Sequence, residues 1–230
     1  MTVELMQRFP IRTDEGMSHR TWCVDVDAAH RVGQLEPNRL RREISEMGEH
    51  FPHWILTVAK GNTTLRCVKC QGMLVFDRGV RCVSCDAVDE RRGGMRIGFF
   101  GLMPPVGIDS LDRIKKGLQQ GTPKQHLVGH RDGLGTFLLV PLLVTFPADY
   151  PQQPVVVSYL PGIFEIPGMP RPTPSHDTHL LSEGTMCLFA SGQWQSAMTC
   201  REVLQQRAYA HVIKLLRFGN GKRDAFAVVS

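Results

Sequence analysis

Gly184-Thr185-Met186-Cys187-Leu188 places a single cysteine three residues after a glycine that permits sharp backbone geometry, and Trp194 follows seven residues on. Beyond it, Thr199-Cys200-Arg201-Glu202 has the spacing of a capping box, so a helix is expected to start there. Leu204, Ala208, His211 and Leu215 then recur at helical spacing and form its core face, with His211 read as a satisfied core residue and Cys200 as packing. The cysteine therefore sits in a tight loop that feeds a well-signalled helix.

Upstream of this loop, Phe137-Leu138-Leu139-Val140-Pro141-Leu142-Leu143-Val144-Thr145-Phe146 is apolar on both faces, as a strand covered on both sides must be. Pro141 removes a ladder donor, and an edge or a bulge is expected there. Phe146-Pro147-Ala148-Asp149-Tyr150-Pro151 closes that strand, and Val155, Val156, Val157 and Tyr159 form the next one. An irregular proline-rich crossing from Pro161 to Pro174 leads to His176, Asp177, Thr178 and His179, just before the glycine.

Nearer the N-terminus, Pro37 stands where a first-turn proline is tolerated, and Leu40, Ile44 and Met47 recur at helical spacing up to Gly48. Arg39, Arg41 and Arg42 fall on the polar side of this helix, as an ordinary solvated face or as a docking surface for an acidic partner. Trp54-Ile55-Leu56-Thr57-Val58 and Met95-Arg96-Ile97-Gly98-Phe99-Phe100 are strand candidates. Asp109-Ser110 can cap a short helix carrying Leu111, Ile114 and Leu118, stopped by Gly121, with a turn-rich link through Gly133 and Gly135 after it. In residues 1–35 only Trp22, Val24 and Val26 alternate like a strand, and Cys23, His19 and His30 lack any pattern that points to chemistry.

Between the first two strand candidates lie Cys67-Val68-Lys69-Cys70 and Cys82-Val83-Ser84-Cys85. Two such pairs offer four soft ligands at the corners of a tetrahedron, the closed geometry of structural Zn²⁺, so Cys67, Cys70, Cys82 and Cys85 are expected to form a zinc ribbon. The ion either holds the two knuckles together, in a segment too short to bury a core of its own, or presents Lys69, Arg78 and Arg81 to a protein or a nucleic acid.

Seven cysteines, an odd number with four of them paired this way, argue for a reducing compartment rather than a disulfide framework. A net charge of +5 spread along 230 residues, without aromatic residues interleaved among the basic ones, argues against a nucleic-acid partner. The longest apolar run, Phe137 to Phe146, is too short to span a bilayer, so no membrane partner is expected. The first residues lack the apolar core of a secretory signal. A cytoplasmic protein is the expectation.

From Phe137 to Leu216 the order of strand, Phe146-Pro147-x-x-Tyr150-Pro151, strand, Gly184-x-x-Cys187-Leu188 and Trp194-x-x-Ala197-x-Thr199-x-x-x-Val203-Leu204 resembles the ubiquitin-conjugating (E2) family. The resemblance implies an α+β E2-like fold, an antiparallel meander sheet packed on helices. Residues 36–219 would form that domain, interrupted by the zinc ribbon at 62–92 and a helical insertion at 106–135. An extension over 1–35 and a tail over 220–230 would flank it, and the family's C-terminal helix pair would be absent. Cys187 would then carry a ubiquitin-like modifier as a thioester, received from an E1-like activating enzyme docked on the first helix and passed to an amine of a target protein. Where the family has its His-Pro-Asn motif this chain has Asp177-Thr178-His179. The eight-residue spacing makes His179 the candidate oxyanion donor or base, and His176 a lesser one. The ribbon and the short C-terminal end match prokaryotic relatives, which commonly accompany antiviral defence. A non-catalytic scaffold on the same fold is the alternative, against which the retained Cys187 speaks.

Overall fold

The computed structural model describes residues 30–31, 35–52, 54–60, 63–72, 74–76, 79–82, 84–90, 94–112, 114–116, 128–132, 135–160, 163–164, 179–181 and 184–218. The strand expected around Trp22, with Cys23 and His19, and likewise Arg78, Leu118, Gly121, Gly133, His176, most of 161–174 and the tail lie outside the described residues. The described chain is α+β, with few helices and an antiparallel main sheet.

Helix α1 (Pro37–His50) starts where Glu36, in extended backbone, caps it: its carboxylate accepts the N–H groups of Asn38 and Arg39. Those bonds hold the Glu36 carboxyl below its ordinary range. The helix runs two residues past Gly48 and closes when Phe51 N–H donates to Met47 C=O at 2.7 Å. Leu40, Glu43, Ile44 and Met47 make its buried face.

Strands β1 (Ile55–Lys60), β5 (Arg96–Leu102), β9 (Pro141–Thr145) and β10 (Val156–Tyr159) pair antiparallel in that order, a four-strand meander. Leu56, Val58, Ile97, Phe99, Leu142, Val144, Val157 and Tyr159 alternate onto one face and share a core with α1 and the C-terminal helices. Ala59, Phe100 and Leu143 form a smaller cluster on the other face. Gly98 is required in β5, because a Cβ there would lie 2.1 Å from the carbonyl oxygen of Val144.

The cysteine-rich segment is continuous with this sheet. β2 (Thr63–Thr64) pairs with β1, and β3 (Leu74–Phe76) pairs both with β1, through Thr57 opposite Val75, and with β4 (Val80–Cys82). The sheet order is therefore β10-β9-β5-β1-β3-β4. Thr57 strengthens the join by donating its hydroxyl to Leu74 C=O at 2.6 Å. The ribbon leans on the larger core through Leu74, Phe76, Val80, Cys67 and Cys82.

Two expectations need correction. The apolar run from Phe137 to Phe146 is not one strand. β8 (Gly135–Leu138) belongs to a small sheet with β6 (Val106–Gly107) and β7 (Val128–Arg131), and the chain changes sheets at Leu139–Val140 before β9 begins at Pro141. A proline at the first position of a strand explains the break, since it supplies no N–H to continue the previous ladder. The segment over 106–135 is consequently strand-bearing, and its described helical residues are only 112 and 114–116. The Asp109 carboxylate accepts Thr136 N–H at 3.1 Å and ties this segment to the small sheet.

After the Cys187 loop, Thr199 and Glu202 make the reciprocal capping box read from the sequence. Helix α2 (Cys200–Val203) then widens into a π-turn over Leu204–Ala208, where Tyr209 N–H donates to Leu204 C=O, and continues as α3 (Tyr209–Phe218).

Candidate functional site

Two cysteine sites stand out, one at each edge of the main sheet. Beside β10, Ser158 forms a bridge with Thr185, and Met186 N–H donates to Val157 C=O at 2.8 Å. The chain folds back over this point: Leu180 bridges Met186, Leu181 N–H donates to Thr185 C=O at 2.7 Å, and Cys187 N–H donates to His179 C=O at 2.7 Å. Gly184, at φ +79°, supplies the left-handed conformation such a tight return needs. His179 adopts φ +49°, a region costly for a non-glycine residue and sustained here by the surrounding bonds. The eight-residue spacing thus becomes direct main-chain contact between His179 and Cys187. The Cys187 thiol is exposed and lies 4.0 Å from Phe189 C=O.

The lip beyond Cys187 is built rather than loose. Trp194 donates its indole N–H to Pro151 C=O at 2.8 Å and packs against Tyr150 and Phe189, joining the Gly184–Trp194 stretch to Phe146–Pro151. Arg207, from the π-turn, donates to Leu188 C=O at 3.1 Å and to the Gln193 side-chain oxygen at 3.2 Å, with its guanidinium 4.7 Å from the centre of the Phe189 ring. His211 is buried as expected, yet it is also wired to the loop, its ring bonded to Tyr159 OH at 2.9 Å and to His179 C=O at 3.3 Å. Sequence reasoning missed Arg207 and Gln193. The π-turn that aims Arg207 contains neither glycine nor proline, and the side chain reads as surface charge.

Arg39 corrects another expectation. Its spacing predicts the solvent side of α1, but its side chain is 11% exposed and pairs with Glu43 at 2.8 Å. It also donates to Tyr150 OH, to Ser196 C=O at 3.0 Å and to Met198 C=O, while Tyr150 donates to Glu43. The other Glu43 oxygen accepts Cys200 N–H at 2.8 Å. Burial pushes the Glu43 carboxyl up, against the pull of Tyr150, Cys200 and Arg39. Arg39 thus fastens α1 to the Tyr150 turn and to the start of α2. Arg41 and Arg42 do face outward, and among the described residues they bond locally to Asn38 and Glu46.

At the other edge, the sulfurs of Cys67, Cys70, Cys82 and Cys85 all lie within 4.8 Å of one another. Cys67 and Cys85 are 3.7 Å apart and Cys70 and Cys82 are 3.4 Å apart. A tetrahedron of four sulfurs, each about 2.3 Å from a central ion, has edges of about 3.8 Å. The two knuckles repeat one geometry. Lys69 and Ser84 direct N–H groups at the sulfurs of Cys67 and Cys82 at 3.4 Å, and Gln71 and Asp86, at φ +60° and +54°, donate to the carbonyls of those cysteines. A Cβ on Gly72 would strike the Ser84 hydroxyl at 2.6 Å, so the first knuckle needs glycine there. At Cys82 the upward push of burial is outweighed by the N–H groups of Cys85 and Ser84 and by neighbouring thiols, which hold it at about 7. At Cys70 the Gly72 N–H works downward, but sharing its proton with the other sulfurs keeps it at about 12. The donor set, spacing and inward-directed N–H groups fit a divalent ion such as zinc.

Against protein-family models, curated proteins and solved structures, the chain has no match. Among the described residues no helix is long and apolar enough to cross a membrane.

Proposed function

We propose that this chain is an E2-like conjugating enzyme of the ubiquitin-conjugating fold, which holds a ubiquitin-like modifier as a thioester on Cys187 and passes it to an amine. The observation that carries the reading is the Cys187 loop: an exposed thiol one residue past a β-bridge, main-chain bonded to His179, at the edge of a four-strand antiparallel meander preceded by a capped helix. In loading, the Cys187 thiolate attacks the thioester carbonyl on the activating enzyme, and that enzyme's thiol leaves. In discharge, the target amine attacks the Cys187 thioester, a tetrahedral oxyanion forms, an amide results, and Cys187 departs as thiolate. An exchange between thioesters requires an accessible sulfur and no paired base, which suits the exposure of Cys187. His179 is the residue to donate to the oxyanion or to accept the amine proton.

Arg41 and Arg42 remain as a docking surface for the activating enzyme, since Arg39 is occupied inside the fold. In the ribbon a zinc ion would be held by Cys67, Cys70, Cys82 and Cys85, supplying folding energy and no open coordination position for chemistry. The partners are the activating enzyme, the modifier and a target protein, in a defence setting.

The reading is tested by isolating tagged protein from cells that encode it. Wild type should carry a thiol-labile adduct on Cys187, Cys187→Ser a hydroxylamine-labile one that resists thiols, and Cys187→Ala none. His179→Ala should load normally and discharge about 10²–10³ more slowly. An adduct that survives in Cys187→Ala, or none on any form in the presence of activating enzyme and ATP, rejects the proposal in favour of a scaffold.

A further inference from the structure

Two basic side chains of the C-terminal helix reach carbonyls before and after Cys187 in the chain, although Leu204–Ala208 separates the helix's first turn from α3 by an extra residue. That insertion turns everything after it by about 100° relative to an unbroken α-helix, because one residue of an α-helix advances about that far. From within the π-turn, Arg207 donates to Leu188 C=O at 3.1 Å, one residue beyond Cys187. From the first part of α3, His211 reaches His179 C=O at 3.3 Å, the same carbonyl that accepts Cys187 N–H.

Each contact is itself held. A carbonyl oxygen only accepts, so the His211 proton facing His179 is on Nε2, and Nδ1 accepts from Tyr159 OH. The Tyr159 hydroxyl, which burial pushes well above its ordinary range, keeps its proton to give. Arg207 is stacked on Phe189 and shares the Gln193 oxygen with Ala190 N–H at 3.1 Å. The loop between these contacts contains the left-handed Gly184 and begins at the left-handed His179. A backbone of that kind persists only when surrounding bonds over-determine it.

We infer that Arg207 and His211 are positioning residues for Cys187, a two-point clamp that fixes the main chain before and after the reacting thiol. They act through the carbonyls of Leu188 and His179 and not on the thioester itself. The inference rests on the reading of Cys187 as the reacting group, but the clamp can be measured without a modifier.

The probe is iodoacetamide, with carbamidomethylation of the Cys187 peptide followed by mass spectrometry from pH 6 to pH 10, alongside amide exchange over residues 185–190 and thermal unfolding. Arg207→Ala and His211→Leu should each speed amide exchange at Met186 and Cys187 by about tenfold, as loss of one anchoring hydrogen bond implies. Each should also shift the pH profile of Cys187 alkylation. His211→Gln, which keeps an N–H donor near the position of Nε2, should restore the slow exchange, and Arg207→Lys should restore it in part. Because these two conservative variants preserve size and polarity, they keep the test informative if an alanine or leucine variant does not fold. The clamp is overturned if exchange and alkylation match wild type in folded Arg207→Ala and His211→Leu, or if His211→Gln is as disturbed as His211→Leu, which would make packing the cause. Clamp variants that respond as described, in a protein that never forms a thiol-labile adduct, would leave the positioning intact and remove the conjugating function instead.

Discussion

Replacing Arg39 with alanine should separate a structural arginine from its two exposed neighbours. In the wild-type protein its guanidinium meets Glu43 at 2.8 Å, Ser196 C=O at 3.0 Å, Tyr150 OH and Met198 C=O, and stacks 4.9 Å from the centre of the Tyr150 ring. Its loss leaves the Glu43 carboxylate inside the core with only Tyr150 and Cys200 N–H as partners. Removing one member of a buried pair costs about 3–5 kcal/mol, and the remaining exposure of Arg39 argues for the lower end, about 3 kcal/mol. For a chain of this size that is a fall in Tm of about 6–12 °C. Arg41→Ala and Arg42→Ala, at the surface, should fall by less than about 2 °C. The loss should also depend on pH. Burial raises the Glu43 carboxyl while Arg39 pulls it down, so without Arg39 it rises further. The protonated carboxyl is then the form the fold prefers, and stability is retained below the ordinary carboxylate range and lost as pH climbs through the raised value. Thermal unfolding of the three variants at pH 5 and pH 8 is the assay. An Arg39→Ala protein that melts with Arg41→Ala at both pH values would refute the reasoning.

Gly98→Ala should destabilise by about 3 kcal/mol, because its Cβ would press on a Val144 carbonyl held in the neighbouring strand; chemical denaturation measures it, and a change under about 1 kcal/mol speaks against the packing described. Purified protein should contain one divalent ion per chain, lost in Cys70→Ser, with faster amide exchange over Leu74–Phe76 once a chelator removes it; metal analysis and exchange decide this. At Glu46 burial works upward, but bonds from Thr199, Arg42 and Arg201 outweigh it and hold the carboxyl at about 2. Its stabilisation is therefore present above the ordinary value near 4.5 and drains away as pH falls towards 2. Glu46→Gln should flatten the stability curve in that window by about 1 kcal/mol, since the side chain keeps 22% of its surface in solvent and Arg42 beside it keeps 51%.

The elements marked by local chemistry were legible in the sequence. The proline-led α1, the strands at Trp54 and Arg96, the Thr199 capping box and the four-cysteine quartet each carry a signal within a few residues, and each has its counterpart in the structure. What stayed hidden depends on partners far along the chain. Arg39 sits beside Arg41 and Arg42 in sequence, yet Tyr150, Ser196 and Met198, more than a hundred residues away, draw it inward. Pro141 signalled an interruption, but only pairing with Leu102 on one side and a separate β6-β8-β7 sheet on the other makes that interruption a change of sheet. The π-turn has no breaker residue, so the direction of Arg207 could not be read from spacing.

The sheet order has a redox consequence for the reactive thiol. Cys187 lies beside β10 and Cys82 lies in β4, and five inter-strand steps of about 4.8 Å separate these edges by about 24 Å along the sheet. A disulfide needs Cα atoms within about 7 Å, so the folded chain cannot trap Cys187 against the quartet. Cys200, fully buried with its thiol pushed well above the ordinary range, is a poor resolving partner as well. Among the described cysteines, oxidised Cys187 therefore has no internal sulfur to condense with. With respect to these described cysteines, its sulfenic acid would persist until a thiol from elsewhere reached it.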